Sequence, residues 1–203
     1  MKLYYSPGAC SLASHIVLHE TGLPFTIEKV DLRAKTTEAG ADFATISRKG
    51  AVPALALDGG AVLTEGVAIM QYVADVAGTP GLSPAPGTLD RARLQEMLNF
   101  IASEVHKAFG PLFTPGVSDE GKAMAVANVT RRLGQMDGML ADGRTWLLGD
   151  TFTQADAYAF TITSWTRFVG IDIAALTHLG AYMGRVAARP AVQAALRAEG
   201  LSG

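Results

Sequence analysis

The sequence predicts an α/β domain over residues 1–78 followed by an all-helical domain over residues 88–203. The first stretch alternates between strand-like and helix-like apolar periods, which is typical of a sheet with flanking helices. Residues 79–87, TPGLSPAPG, are rich in proline and glycine and predict a linker. Only helical periods follow the linker, so no sheet is predicted in the second domain.

The opening residues predict a β-α-β unit. Lys2–Tyr5 has the character of a short strand, and Pro7-Gly8 ends it. Residues 10–22 carry an apolar stripe at helical spacing, and residues 25–30 predict a second strand. Because a crossover through a helix joins parallel strands, these two strands are predicted to run parallel.

A hairpin and a helix complete the first domain. Residues 54–57 and 61–63 are apolar and flank Asp58-Gly59-Gly60, a pattern typical of a tight hairpin. Thr64 is predicted to cap the helix that follows. Residues 33–50 are polar and predicted to be irregular. The predicted order is therefore β-α-β then β-β-α, with a mixed four-stranded sheet.

Helical periods predict five helices in the second domain, at about residues 88–114, 119–142, 154–169, 173–188 and 190–198. Thr153 and Asp156 stand at the start of the third helix in a Thr-x-x-acid pattern. This pattern predicts a capping box, in which each of the two residues hydrogen-bonds the other's backbone.

Charge and cysteine content exclude several classes of function. Seventeen Lys and Arg against nineteen Asp and Glu give a net charge of −2, so a nucleic-acid partner is not expected. No run approaches the 18 apolar residues of a membrane span, and the first ten residues lack the apolar segment of a secretory signal. Cys10 is the only cysteine, which excludes an internal disulfide and predicts a reducing, cytoplasmic location.

Cys10 is the strongest candidate for reactivity. It follows a strand and a Pro-Gly turn at the start of a helix, where unpaired N–H groups and the helix dipole favour an anion. A thiolate is therefore predicted to be stabilised there, with a pKa below the usual range. The alternative interpretation is a small buried apolar side chain. Ala13 stands where a redox pair would place its second cysteine, so a resolving thiol must come from another molecule.

Two further pairs suggest binding chemistry. Val52-Pro53 precedes a strand, where a cis proline would hold backbone groups facing the cysteine and ready to pair with an extended peptide. Glu65-Gly66 opens a helix, so the Gly66 N–H can bind a carboxylate while Glu65 accepts from an ammonium group. The alternatives are an ordinary strand-start proline and ordinary helix-start chemistry.

The long helix after the linker carries a polar stripe beside its apolar one. Asn99, Ser103 and His106 recur at helical spacing, with Glu104 and Lys107 beside them. Such a stripe suits a cleft or interface, and it suits solvent equally well. His15 and His19 share a helix face, but no further ligands lie near them in sequence, so no metal site is predicted.

These patterns together resemble one known family. The chain is similar to bacterial beta-class glutathione transferases in YSPGACS from Tyr5, VPAL from Val52, LTEGVAIMQY from Leu63, EVHK from Glu104 and FTQADAY from Phe152. The resemblance covers essentially the whole chain. It implies a thioredoxin-like amino-terminal domain, an all-helical carboxyl-terminal domain, and a homodimer whose cleft binds glutathione.

The resemblance also implies roles for individual residues. Cys10 would meet the glutathione sulfur, with which it can form a mixed disulfide, and His106 would lie beside that sulfur. The residues implied in glutathione binding are Lys35, Val52, Pro53, Glu65, Gly66, Asn99, Ser103, Glu104 and Lys107. Tyr5 and Ser11 match by position, and the sequence leaves open whether either hydroxyl touches sulfur.

The expected function is a glutathione transferase that conjugates glutathione to small hydrophobic electrophiles, with thiol–disulfide exchange through Cys10 as a further activity. The alternatives are a non-catalytic binding protein with this fold and a glutaredoxin-like thiol reductase. Glutathione is the expected co-substrate, and no metal is expected. Phe109, Phe113 and Trp165 are candidates for the electrophile pocket, although each could equally be core.

Overall fold

A computed structural model describes residues 1–201 of the chain. By spatial contacts the chain divides into two compact units. The first unit comprises Met1–Ser83 together with the segment that begins at Ala188, and the second comprises Pro84–Ala187. The break between them at Ser83 and Pro84 falls inside the segment predicted to be a linker.

The first unit contains a mixed five-stranded sheet in the order β3-β2-β1-β4-β5. The strands are β1 Lys2–Tyr5, β2 Thr26–Asp31, β3 Thr36–Thr37, β4 Ala54–Ala56 and β5 Val62–Thr64. Strand β1 runs parallel to β2 and antiparallel to β4. The predicted β-α-β then β-β-α order is confirmed. The fifth strand, β3, lies in the segment predicted to be irregular and adds a two-residue edge.

Four helices accompany this sheet: α1 Ser11–Thr21, α2 Phe43–Ile46, α3 Gly66–Ala77 and α10 Pro190–Ala198. Helix α1 packs against both α3 and α10. Leu12 and Ile16 of α1 are fully buried, as are Leu3 of β1 and Ile69 of α3. Burial of these apolar side chains stabilises the packing of α1 against its neighbours, which positions the amino terminus of α1.

The start of α3 differs from the prediction that Thr64 caps it. Thr64 remains in β5, paired with Ala54, so it is not placed to cap the helix. Glu65 is the residue before the helix, with φ of 72°, and its side chain makes no capping hydrogen bond. This left-handed conformation, uncommon for a residue with a Cβ, turns the chain from strand into helix within one residue.

The described part of the second unit is helical. Its elements are α4 Leu89–Phe100, a π-helical segment Ile101–His106, α5 Gly110–Phe113, α6 Asp119–Leu140, α7 Gln154–Ser164, α8 Thr166–Val169 and α9 Thr177–Ala187. The helix predicted over residues 88–114 is therefore interrupted, in part because Pro111 has no N–H to continue it. The helix predicted over 154–169 breaks at Trp165, whose N–H bonds to the Ile162 carbonyl three residues back.

Asp156 at the start of α7 forms the predicted capping box with Thr153. Its carboxylate accepts from the Thr153 N–H at 2.8 Å and from the Leu147 N–H at 2.9 Å. It also accepts from the Tyr182 hydroxyl at 3.0 Å. This buried carboxylate thereby joins the loop before α7 to α9, because Tyr182 belongs to α9.

The carboxyl-terminal helix differs from the predicted domain division, which placed residues 88–203 in the second domain. Helix α10 packs on α1, and Arg189 forms an ion pair with Glu20 at 2.7 Å. These contacts place the segment from Ala188 in the first unit. Hydrophobic periodicity finds a helix but does not reveal which surface it packs on. Within residues 1–201, no helix has the length and apolar character needed to cross a membrane.

Candidate active site

Cys10 lies directly before α1 and faces the backbone of Val52. Its thiol donates to the Val52 carbonyl oxygen at an Sγ–O distance of 3.3 Å. The peptide bond between Val52 and Pro53 is cis. Two segments that are 42 residues apart in sequence therefore meet at the sulfur. The structure brings together the cysteine and the proline pair that the sequence singled out separately.

Burial raises the pKa of the Cys10 thiol to about 11. Backbone N–H groups at the start of α1 oppose this increase, while the nearby Glu65 carboxylate adds to it. The prediction of a lowered pKa is therefore wrong for the protein without ligand. The helix start does favour the thiolate, but removing the sulfur from water disfavours the anion more strongly.

Gly66 packs against the ring of Pro53. A Cβ built on Gly66 would lie 3.5 Å from Pro53 Cγ and 3.8 Å from Ser14 Oγ. The Ser14 hydroxyl oxygen is buried and has no hydrogen-bond partner within the described residues. The first residue of α3 therefore lies against the ring of the cis proline.

Two lysines make contacts at the segment 49–53, one from within the segment and one from outside it. Lys49 Nζ pairs with Glu65 Oε1 at 2.6 Å, and both side chains are largely exposed. Lys35 Nζ donates to the Gly50 carbonyl at 2.8 Å. Lys35 has a left-handed backbone with φ of 57°. Sequence reasoning missed Lys49, because it stands in a polar stretch without a motif and only the fold pairs it with Glu65.

We define the Cys10 corner as Cys10, Val52, Pro53, Glu65 and Gly66. The segment 49–53 contacts every other part of the corner, since Lys49 meets Glu65, Val52 meets Cys10 and Pro53 meets Gly66. The corner combines a thiol, the backbone just before a strand, a helix amino terminus and an exposed carboxylate. This combination can bind a ligand that has a sulfur atom, a peptide backbone and charged ends.

Tyr5 and Ser11 lie beside the corner, but neither is shown touching the Cys10 sulfur. The Ser11 hydroxyl accepts from the Ser6 N–H at 3.2 Å and lies 3.3 Å from the Ser6 carbonyl oxygen, so it holds the turn that carries Pro7 and Gly8. Burial raises the pKa of the Tyr5 phenol, and the Glu199 and Glu38 carboxylates add to the increase. Tyr5 is therefore a neutral phenol at pH 7.

His106 ends the π-helical segment of the second unit and packs among aromatic rings. Its Nδ1 and the Tyr158 hydroxyl share a hydrogen bond of 2.7 Å, in which the tautomer decides the donor. Its ring meets the Trp165 ring edge to face, with centroids 4.9 Å apart. Burial lowers the pKa of His106 to about 4, and the Lys107 charge contributes. His106 is therefore a neutral imidazole at pH 7.

We define the His106 cluster as His106, Phe109, Phe113, Tyr158 and Trp165. Phe109 is fully buried and Trp165 nearly so, which makes both of them core residues. Phe113 stacks near Phe109 and meets Trp165 edge to face, yet half of its surface is exposed. Of the three aromatic residues considered for an electrophile pocket, Phe113 alone presents a large exposed surface.

The other predicted residues of this unit lie along one stretch of helix. Asn99 donates to the Gln95 carbonyl at 2.9 Å, and Ser103 donates to the Asn99 carbonyl at 2.9 Å. Glu104 pairs with Arg132 of α6. Lys107 is exposed. The polar groups of Asn99 and Ser103 are thus bonded to their own helix, and both side chains lie at the surface.

Within residues 1–201, no group of three or more His, Cys, Asp or Glu side chains is arranged to hold a metal ion. His15 and His19 stack with ring centroids 5.0 Å apart, and His15 Nδ1 lies 2.9 Å from Glu199 Oε1. His15 is therefore packed into the interior of the first unit, and His19 lies partly exposed beside it.

Two family models match the chain. The model described as glutathione S-transferase, N-terminal domain, matches residues 8–76. The model described as glutathione S-transferase, C-terminal domain, matches residues 100–190. The first match contains the whole Cys10 corner, and the second contains the whole His106 cluster.

Curated relatives and solved structures agree with these models. The chain is 48% identical to glutathione S-transferase GstA of Escherichia coli O157:H7, over 99% of this chain and 100% of that protein. A sphingomonad glutathione S-transferase solved with glutathione is 54% identical, with a TM-score of 0.95 and all of both chains covered. The beta-class glutathione S-transferase of Sphingomonas chungbukensis is 52% identical, with a TM-score of 0.96, and again both chains are covered in full.

Proposed function

The chain belongs to the glutathione S-transferase family, and from that premise we propose that the Cys10 corner is the place where it binds glutathione for transfer. The observation that carries the proposal is the set of contacts made by the segment 49–53. This segment meets the sulfur of Cys10 through Val52, the start of α3 through Pro53 and the Glu65 carboxylate through Lys49. These contacts bring Cys10, the Val52-Pro53 pair and the Glu65-Gly66 pair together in one place.

The charges of the corner suit those of glutathione, which carries one ammonium and two carboxylates at neutral pH. The exposed Glu65 carboxylate can accept from the ammonium of the γ-glutamyl end. The Gly66 N–H at the start of α3 can donate to the carboxylate of that same end. Lys35 is the cation proposed for the glycyl carboxylate. The backbone of Val52 is proposed to pair with the cysteinyl residue, as in strand addition.

Conjugation requires that the glutathione thiol lose its proton before the sulfur attacks the electrophile. With an aryl chloride, the thiolate forms a carbon–sulfur bond, chloride leaves, and the proton passes to solvent. Donors directed at the sulfur favour this thiolate, because they stabilise negative charge where water is excluded. On the family resemblance we propose His106 for this role; it is neutral at pH 7 and keeps one ring nitrogen beyond its bond to Tyr158.

Thiol exchange is proposed as a secondary activity. In that route, the Cys10 thiolate attacks glutathione disulfide, forms a mixed disulfide and releases one glutathione thiolate. A thiol whose pKa is about 11 is almost entirely protonated at pH 7, so this attack is slow in the free protein. The raised pKa therefore favours conjugation over exchange as the main activity and weighs against a dedicated thiol reductase.

Three further features belong to the proposal. Small apolar electrophiles suit the exposed face of Phe113, since it leads onto the aromatic rings of the His106 cluster. A homodimer and a cytoplasmic location are proposed on the family resemblance, and the single cysteine supports a reducing compartment. Asn99, Ser103 and Glu104 are proposed to reach glutathione from the neighbouring subunit or to line the site, and Lys107 is proposed to bind glutathione.

Two measurements test the proposal. Isothermal titration should show glutathione binding to the wild-type protein, and binding should weaken by about tenfold or more in Glu65→Gln, which keeps an acceptor but loses the negative charge that pairs with the ammonium group. Glu96→Gln, an exposed carboxylate of α4 paired with Arg93, is the matched control and should bind normally. Turnover of a chloronitrobenzene should accompany binding.

Absence of binding at millimolar glutathione would overturn the assignment of the corner. Binding without turnover across several electrophiles would indicate the non-catalytic alternative. Mass spectrometry of untreated protein adds an independent result, because a glutathione-sized adduct on Cys10 would identify the ligand and the residue that meets its sulfur.

A further inference from the structure

Glu199, at the end of α10, places a buried carboxylate behind the turn that carries Cys10. Its Oε2 accepts from the Gly8 N–H at 2.9 Å. Its Oε1 lies 2.9 Å from His15 Nδ1, and the side chains of both partners are essentially inaccessible to solvent. The carboxylate is therefore in contact with the chain on both sides of Cys10, two residues before it and five residues after it.

A carboxylate buried in this way must receive hydrogen bonds, because losing water is costly for a charged or polar group. Here the donors lie on the loop and the helix that together hold the cysteine. Gly8 adopts a left-handed backbone with φ of 70°, and the Ala9 N–H bonds to the Ser6 carbonyl at 3.0 Å. The Glu199 contact fixes the orientation of the Gly8 peptide within this turn.

We propose that Glu199 is a positioning residue for Cys10. By holding the Gly8 N–H and the His15 ring, it sets the turn from Ser6 to Cys10 so that the sulfur lies against the Val52 carbonyl. The inference rests on the proposed role of Cys10 at the site. No motif pointed to Glu199, since it lies 191 residues from Gly8 in sequence.

The Arg189–Glu20 ion pair provides a control that distinguishes two roles for Glu199: positioning Cys10, or only attaching the carboxyl-terminal segment to α1. It ties the same carboxyl-terminal segment to the other end of α1, with Nε–Oε1 and Nη2–Oε2 distances of 2.7 and 2.9 Å. It does not touch the turn that carries Cys10. If Glu199 only anchors the segment, then breaking either tie should affect the protein in the same way.

The test compares Glu199→Met, Glu199→Gln and Glu20→Gln in the full chain. Methionine keeps the length of the side chain but accepts no strong hydrogen bond, whereas glutamine keeps an acceptor for the Gly8 N–H. The measurement is the rate at which iodoacetamide alkylates Cys10 at pH 8, with thermal unfolding recorded for each variant. Because no glutathione is present, the result does not depend on whether the corner binds it.

Release of the turn should expose the sulfur and lower its pKa, and one pKa unit corresponds to about tenfold more thiolate at this pH. We expect alkylation to be roughly tenfold faster in Glu199→Met and to stay within about twofold of wild type in Glu199→Gln and Glu20→Gln. Equal rates in Glu199→Met and wild type would overturn the proposal. So would equal acceleration in Glu199→Met and Glu20→Gln, because attachment alone would then explain the effect.

If Glu199→Met does not yield folded protein, hydrogen exchange at the Gly8 amide replaces it. The proposal requires this amide to be protected in both the wild type and Glu199→Gln. Exchange at the rate of an open loop in the wild type would overturn it. Failure of the wild type to bind glutathione would instead count against the proposed function of the corner, whereas the alkylation rates decide the role of Glu199 independently.

Discussion

The Cys10 corner and the His106 cluster each keep a reactive side chain neutral by burial, but with different contacts and with pKa shifts of opposite direction. In the corner, the sulfur contacts backbone groups, and burial raises the thiol pKa to about 11. In the cluster, the imidazole contacts a phenol and an indole, and burial lowers its pKa to about 4. Burial favours the uncharged form in both cases, so the pKa shifts in opposite directions for an acid and a base.

The two regions also differ in what holds them together. The corner depends on backbone groups: the Val52 carbonyl, a left-handed Glu65 and the first turns of two helices. The cluster depends on side chains that pack across α7 and the segment from residue 101 onward. Side-chain substitutions should therefore lower the free energy of unfolding more when they remove contacts that hold the cluster than when they fall in the corner.

The largest effect is expected from Asp156→Ala, at the start of the helix that carries Tyr158. The substitution leaves two N–H groups and the Tyr182 hydroxyl without their acceptor in a buried site. We expect the free energy of unfolding to fall by about 3–5 kcal/mol, measured by urea denaturation. Ser118→Ala removes an exposed cap of α6 and should cost about 1 kcal/mol. Equal losses in the two variants would contradict the difference between buried and exposed caps.

The second prediction concerns acid stability. Because the folded protein holds the pKa of His106 near 4, against an ordinary value of 6.5, the unfolded chain takes up the proton first as pH falls. This contribution to stability is complete above pH 6.5 and is lost as pH falls towards 4. His106→Phe should therefore reduce the loss of unfolding free energy over that range by about 2–3 kcal/mol, measured in urea.

Nuclear magnetic resonance provides the direct measurement for the same prediction. The ring protons of His106 should titrate with a midpoint near 4 in the wild type. Tyr158→Phe should leave the midpoint low, because burial rather than the phenol is the leading cause. A midpoint near 6.5 in the wild type would contradict the description of the cluster.

The third prediction concerns the corner and is smaller. In the absence of glutathione, the rate of Cys10 alkylation should rise as the pH increases towards the thiol pKa of about 11. Glu65→Gln removes a negative charge that raises the thiol pKa, so alkylation at pH 8 should be a few times faster, or roughly twofold to fivefold. Glu96→Gln in the second unit should leave the rate unchanged. A slower reaction in Glu65→Gln would contradict the prediction that the Glu65 charge raises the thiol pKa.

The sequence predicted the parts of the molecule that local backbone chemistry determines. The strand, turn and helix around Cys10, the two-strand hairpin and the Thr153–Asp156 capping box all follow from short-range patterns, and the structure contains them. The interruption of the helix after residue 100 was missed, because the apolar period continues through the π-helical segment.

Electrostatic properties could not be predicted, since they depend on distant contacts. The direction of the Cys10 pKa shift was wrong because the sequence shows a helix start but not the Val52 carbonyl or the extent of burial. Lys49 and Glu199 were missed for the same reason, as each acts on a residue far away in the chain. Tyr158 belongs to a motif that the sequence analysis identified. Its hydrogen bond to His106 could not be predicted, because that bond depends on how α7 packs.

The smallest effect is expected from Gly66→Ala, which tests whether the corner depends on backbone rather than side chains. The added Cβ would meet Pro53 and Ser14 at ordinary contact distances. Alanine also has a higher helix propensity than glycine. Stability should therefore change by no more than about 1 kcal/mol, and glutathione affinity by no more than about twofold, because the N–H remains. Gly66→Pro keeps a helical φ at this first position but removes the N–H, so its affinity should fall by about tenfold. If titration calorimetry gives equal affinities for the alanine and proline variants, then the amide of Gly66 does not bind the ligand, and the helix start contributes only to the shape of the corner.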